Sequence, residues 1–380
     1  MVAAKRKKSA LAAEKPGVQP LDGPTLMLVI FLLAIGIVML FSASYTIAYY
    51  NPNISTPLYY VIRQGAYMAV GLVVMWWVSR VDYHRWHKWS VPLFVVGLVL
   101  LVLVLTPLGT EVNNAQRWLF GFQPSEVMKT GVIFLFSSLA SVYHDKIKTF
   151  RYGLLPYVCL LAIIALLLVQ EPHLSATIIT VGTGMVILFV AGIRLWYFIP
   201  LIPLGTVGVI VFLRVNEYAM TRIRIWLDPF LDRLGDGYQA VQSFIAIGSG
   251  GLWGLGLGNS RQKHLYLPEP ANDFIFSVAC EELGFIGAMV IIILFAALVC
   301  RGYYIAMRSR DKFGCLLATG ITTKIAIQTL VNMCVVTGLM PVTGAALPFF
   351  SYGGTALLIQ LFEVGVLLNI SRQMTAPKAG

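Results

Sequence analysis

Charge is what this sequence has least of. Of its 380 residues only 12% are Asp, Glu, Lys or Arg, while 58% are hydrophobic; a soluble domain carries roughly 25% charged residues. That shortage excludes an ordinary soluble enzyme and a disordered chain alike. Cysteine is scarce too. Cys159, Cys280, Cys300, Cys315 and Cys334 are odd in number and lack CxxC spacing, which excludes a disulfide framework and a cysteine zinc site. Most of them sit in apolar stretches, where a thiol packs as a small hydrophobe. The five histidines are scattered, and no set of His, Cys or carboxylates has metal-ligand spacing. Acid is the rarer sign, with 17 Asp and Glu against 28 Lys and Arg and a net charge of +11.

What the sequence has in abundance is apolar runs near 20 residues long, the length a helix needs to cross a bilayer. Ten are expected, at about 25–46, 58–79, 89–107, 124–143, 152–170, 173–191, 195–213, 274–300, 313–337 and 347–370. The first follows Lys5-Arg6-Lys7-Lys8 but is too long for a signal-peptide core, so it should remain as an anchor. With the N-terminus in the cytoplasm, 18 of the 28 basic residues fall in inside segments, as the positive-inside rule requires. The basic balance is thus topological, and its natural partner is an anionic membrane surface rather than nucleic acid. The expected fold is all-α and polytopic with both termini cytoplasmic. It comprises a basic tail (1–24), one membrane domain (25–372) with a long external loop (214–272), and a short cytoplasmic tail (373–380).

The unusual sequence lies outside. It includes Asn113, Asn114, Arg117 and Trp118 in the loop 108–123, the mixed Arg, Asp, Gly and aromatic segment 214–272, and the Pro341–Gly354 stretch. A transporter carries its polar groups at the midplane of repeated, broken helices. Here they cluster at the outer surface and no internal repeat is evident, which favours binding or chemistry at the external face.

Asp273 stands where the long loop meets span eight. A carboxylate at that boundary is partly desolvated and can become a working general base; equally, Asp suits a helix N-terminus as a cap. Glu281 and Glu282 follow about 12 Å further along a helix, a costly depth for two acids. One facing a polar cavity and one paired structurally is the expected division. Gln123-Pro124-Ser125-Glu126 with Lys129 opens span four, with helix-start chemistry and an i,i+3 ion pair. Arg222, Arg224, Arg261 and Lys263 suit a phosphate or diphosphate, or salt bridges to Asp228, Asp232 and Asp236. The glycine run Gly248 to Gly258 matches no nucleotide-binding fingerprint and reads as a site of close backbone approach. Lys324 and Glu363, at similar depth in spans nine and ten, are expected to form a buried pair.

Three ordered motifs carry a resemblance across residues 25–372. The first is Gly256-Leu257-Gly258-Asn259-Ser260-Arg261-Gln262-Lys263, Tyr266-Leu267-Pro268-Glu269, Asn272-Asp273-Phe274-Ile275-Phe276 and Glu281-Glu282-Leu283-Gly284. The second is Pro341-Val342-Thr343-Gly344, Leu347-Pro348-Phe349 and Ser351-Tyr352-Gly353-Gly354. The third is Arg117-Trp118 with Gln123-Pro124-Ser125-Glu126. Together they resemble the SEDS family of shape, elongation, division and sporulation proteins, closer to its FtsW/SpoVE branch than to RodA. The resemblance implies a peptidoglycan glycosyltransferase in the bacterial cytoplasmic membrane, polymerising lipid II at the outer face and releasing undecaprenyl diphosphate. Its implied partners are a class B penicillin-binding protein and other division proteins. It points to Asp273 as general base, and to Arg117, Lys129, Arg222, Arg224 and Lys263 as holders of the diphosphate, with room for a divalent cation (Mg or Mn). Glu281 and Ser351 join them as substrate-binding candidates. A lipid II flippase or a non-catalytic division scaffold are the alternatives. Two positions depart from the family pattern. His173 follows Glu171-Pro172 where many members have Asp, and Lys324 stands where a small or apolar residue is expected.

Overall fold

The computed structural model describes residues 20–374 apart from 55, 113, 114 and 216. Asn113, Asn114, most of the basic tail and Lys378 lie outside the described residues. The described chain is built from helices: α1 (Gly23–Tyr50), α2 (Tyr59–Val78), α3 (His84–Val104), α4 (Pro124–Val142), α5 (Leu155–Gln170), α6 (Leu174–Ala191), α7 (Leu201–Val215), α8 (Glu217–Leu227), α9 (Tyr238–Ser249), α10 (Ile275–Arg308), α11 (Lys312–Val336) and α12 (Gly354–Arg372). Its strands are β1 (Thr110–Val112) and β2 (Ala115–Trp118), an antiparallel hairpin pairing Glu111 with Gln116.

Among the described residues nine helices are long and apolar enough to cross a membrane. The expected seventh span is shorter, since α7 has 15 residues, about 22 Å of helix against roughly 30 Å of hydrocarbon. The expected tenth span also starts late. Residues 347–353 form a loop, because Pro348 cannot donate to a helix and Phe349 has φ 64°, outside the helical region. That loop becomes part of the site.

Helices α4 and α11 are the innermost, buried along nearly their whole length. The outer helices α2, α3 and α5 turn Val73, Trp76, Trp77, Val95 and Leu166 outward, as hydrocarbon allows. The end of the bundle that carries residues 22, 79–83, 301, 311 and 369–372 is tied by polar contacts. Asp22 caps α1 at the Thr25 N–H (3.0 Å) and pairs with Arg301. Asn369 accepts from the Tyr83 N–H (2.8 Å) and donates to the Ser79 carbonyl (2.9 Å).

At the opposite end, α10 is 34 residues long but broken at Gly284, with φ 68° and ψ −170°. The break frees helical hydrogen-bonding groups, and the glycine run takes them up. Leu255 and Gly256 donate to the Glu281 and Glu282 carbonyls (3.0 Å each), while Phe285 and Ile286 donate to the Gly251 and Leu252 carbonyls (2.8 and 3.2 Å). A Cβ on Gly254 would lie 2.2 Å from the Glu282 carbonyl oxygen, so only glycine permits this backbone-to-backbone seam.

Candidate active site

The hairpin places the first functional side chain. Gln116 donates to the Thr106 and Gly109 carbonyls (2.7 and 3.2 Å), docking β2 on the end of α3. Arg117, the next residue, donates from Nε to the Glu171 carbonyl (3.3 Å) and from Nη2 to the Pro172 carbonyl. The guanidinium is thereby anchored to the turn between α5 and α6, leaving Nη1 turned toward Gly344.

Asp273 is placed from the other side. It lies two residues before the first residue of α10, and three contacts hold the backbone of residues 271–273. Asn332 of α11 donates to the Asp273 carbonyl (2.8 Å), Ser351 donates to the Asn272 carbonyl (2.7 Å), and the Tyr352 N–H donates to the Ala271 carbonyl (2.9 Å). The loop that supplies two of these is itself clamped. Gln64 of α2 bonds both the Ser351 carbonyl and the Gly353 N–H (3.2 Å each), and Ser351 accepts from the Leu347 N–H (2.7 Å).

Gly344 lies between the two charged groups. A Cβ there would sit 3.3 Å from Asp273 Oδ2 and 3.5 Å from Arg117 Nη1, which puts carboxylate and guanidinium within about 7 Å of each other. With φ 73° the position favours glycine, and the point where carboxylate and guanidinium approach its bare face is termed the notch.

The electrostatics of Asp273 follow from this setting. Burial pushes its carboxyl up to about 6, and repulsion from Glu269 adds to that; Arg117 and Arg222 oppose both. Arg222 of α8 therefore belongs to the site, steadied by Gln239 of α9 at 3.5 Å. Glu269 does too, with φ 51° and Asn272 donating to its Oε2 (2.6 Å). Beneath Arg117, Glu171 is fully buried, and neither carboxylate oxygen has a hydrogen-bond partner among the described residues. Burial raises its pKa to about 8, against the pull of Arg117, so it is a neutral acid at pH 7.

Other expected substrate-binding residues take structural positions. Glu281 accepts from Ser260 Oγ (2.5 Å) and the N–H groups of Arg261 and Gln262 (2.9 and 3.3 Å). Lys263 is 4% exposed and donates to Glu282, Ser42 and the Gly258 carbonyl (2.9, 2.8 and 2.6 Å). Both Glu281 and Lys263 thus tie the glycine-rich loop to α10 through buried contacts. Glu282 is likewise enclosed, accepting from Ser42 Oγ (2.5 Å). Lys129 is 4% exposed and paired with Glu126 (2.6 Å), and Ser351 braces the Asn272 backbone beside Asp273. Arg224 is exposed at the surface of α8. Lys324 and Glu363 lie in contact at 2.9 and 3.0 Å. Sequence reasoning missed Glu269, Glu171, Gln328 and Asn332. The first two sat inside quoted motifs. The last two had one signal, amides spaced four apart within an apolar span.

With this geometry in view, the sequence model of the FtsW/RodA/SpoVE cell cycle protein family matches residues 24–376. The chain belongs to that family. It is 43% identical over 357 residues to stage V sporulation protein E of Bacillus subtilis, covering 92% of this chain and 97% of that one. It is 44% identical over 364 residues to the probable peptidoglycan glycosyltransferase FtsW of Trichlorobacter lovleyi, covering 93% and 94%. Among solved structures, it is similar to a chain of a peptidoglycan synthase complex that coordinates polymerization and crosslinking. The TM-score there is 0.76 at 28% identity, over 93% of this chain and 98% of that one. The RodA rod shape determining protein of Thermus thermophilus gives 0.68 at 25% identity, over 95% and 100%. Family membership and the nine long apolar helices among the described residues make the chain a multi-pass membrane protein.

Proposed function

We propose that the protein is a peptidoglycan glycosyltransferase that polymerises lipid II at the outer face of the bacterial cytoplasmic membrane, with a class B penicillin-binding protein as its crosslinking partner. The observation that carries this reading is the notch at Gly344, with a carboxylate of raised pKa on one side and Arg117 on the other. The positive-inside distribution of Lys and Arg supports an external position for that notch.

In this reading Asp273 accepts the proton of a sugar 4-hydroxyl as that oxygen bonds to the anomeric carbon of the second lipid-linked chain. The bond from that carbon to the diphosphate breaks, and the electron pair leaves with undecaprenyl diphosphate. Arg117 and Arg222 offset the charge that develops on the leaving group. Arg224, on the exposed face of α8, is available to the outer phosphate. Among the described residues no three His, Cys, Asp or Glu side chains converge on a metal position. Two neighbouring carboxylates, Asp273 and Glu269, still suit a Mg or Mn ion that takes its remaining ligands from phosphate and water; such an ion would neutralise diphosphate charge when bound. Lys324 and Glu363 are at most 1% exposed and lie in contact with each other, which supports a structural pairing over a transport path.

The test is purified protein with its partner and lipid II in detergent, read by glycan strand length on a gel. Wild type should polymerise and Asp273→Asn should lose about 100-fold or more in rate. Absence of strands from wild type would refute the enzyme reading, and normal polymerisation by Asp273→Asn would refute the site.

A further inference from the structure

Four charged side chains meet in the apolar interior below the notch. Glu126 and Lys129 come from α4, Lys324 from α11 and Glu363 from α12, and none is more than 4% exposed. Lys324 Nζ lies 2.9 and 3.0 Å from the two Glu363 oxygens and 3.7 Å from Glu126 Oε2, and Glu126 Oε1 lies 2.6 Å from Lys129 Nζ. Thr130 donates to Glu363 Oε1 at 2.6 Å. Two cations and two anions thus alternate, and the cluster is neutral as a whole.

The cluster is connected to the notch by one face of α11. Lys324, Gln328 and Asn332 are spaced i, i+4, i+8, so they stack along a single stripe of the helix. Gln328 Oε1 lies 3.5 Å from Lys129 Nζ, and Gln328 Nε2 donates to the Ala346 carbonyl at 3.0 Å. Asn332 spends both hydrogens of its amide on the next level, on the Ala345 carbonyl (2.6 Å) and the Asp273 carbonyl (2.8 Å). Gly344, the wall of the notch, immediately precedes Ala345.

We propose that the Lys324–Gln328–Asn332 stripe is a positioning device for Asp273, and that the four-charge cluster is its foot. It hangs the 344–346 loop and the Asp273 backbone from α11 at a set height, so that Asp273 Oδ2 and Arg117 Nη1 face the same gap. Lys324 acts through Glu126, Lys129 and Gln328 and touches no substrate. This inference rests on the glycosyltransferase reading. A buried ion pair broken on one side leaves an uncompensated charge, whereas a pair removed whole does not. Loss of Lys324 alone therefore frees Lys129 to compensate Glu363 as well as Glu126, drawing it away from Gln328.

The experiment measures kcat and KM for lipid II with the full-length protein and its partner, alongside melting temperature. Gln328→Met alters no charge and should lower kcat at least tenfold with KM within twofold of wild type and the melting temperature retained. Lys324→Met should lower kcat similarly, and Lys324→Met/Glu363→Gln should recover most of it. If Gln328→Met keeps wild-type kcat, or the double variant is no better than Lys324→Met, the positioning role is refuted. If Lys324→Met fails to fold, Gln328→Met and the double variant decide the matter alone. An inactive wild type would instead refute the underlying function reading.

Discussion

The raised pKa of Asp273 makes a prediction about rate. A general base works only when ionised, and burial has pushed this carboxyl up to about 6. At pH 7 about nine-tenths of the molecules carry the active carboxylate, at pH 6 half, and at pH 5 about one in eleven. Without divalent cation, and where chemistry limits turnover, kcat/KM for lipid II should therefore rise about tenfold from pH 5 to pH 7 and then level off. The neighbours set where the rise falls. Glu269→Gln removes a repulsion that raises the pKa, so its midpoint should move to lower pH. Arg222→Ala removes an attraction that lowers it, so its midpoint should move higher. The assay is initial-rate polymerisation of fluorescent lipid II in buffers of constant ionic strength, with melting temperature followed at each pH. A profile flat between pH 5 and 7, or midpoints that move in the opposite directions, would refute the assignment of Asp273 as base.

Glu171 predicts a stability slope. Its folded pKa, about 8, exceeds the unfolded value, so its contribution is complete below about pH 4.5 and is lost as pH rises toward 8. The loss is at most about 1.4 kcal/mol per pH unit. Glu171→Gln should flatten that slope in thermal melts between pH 5 and 8, and an unchanged slope would count against a buried neutral acid. Gly344→Ala would place a methyl 3.3 Å from Asp273 Oδ2 at a positive φ; we expect at least about tenfold lower kcat/KM at about 1 kcal/mol of strain, measured by polymerisation and denaturation. Lys263→Met would leave Glu282 buried without its cation, costing about 3–5 kcal/mol and lowering the melting temperature markedly, while Lys263→Met/Glu282→Gln should regain most of it.

Much of the fold was legible because apolar length is a local property. The spans could be counted from runs of Leu, Ile and Val, and the errors came where a local break intervened. Pro348 and Phe349 delayed the start of α12, and the shortness of α7 was hidden by an apolar flank that does not continue its helix. Asp273 was legible because a carboxylate at the edge of an apolar run is conspicuous. Arg117 and Arg222 were legible as basic residues on the outer side, but so were Lys129 and Lys263, and sequence alone could not separate the two pairs. The difference between them lies in the partners that packing brings to each cation. Lys129 and Lys263 meet Glu126 and Glu282 inside the protein, whereas Arg117 anchors on backbone carbonyls beside Gly344.

What the sequence by itself determined is therefore the solvent of the protein, the approximate number of its crossings and the boundary residue at which an acid could act. These depend on composition and on neighbours along the chain. Only the tertiary structure decided which charge meets which partner. Glu281 and Lys263 tied the glycine-rich loop to α10, Lys324 joined Glu126 and Glu363, and Asp273 came close to Arg117 beside a glycine 71 positions further along the chain. In a low-dielectric interior a charge must find its partner wherever packing brings one, and that partner is set by helices distant in sequence.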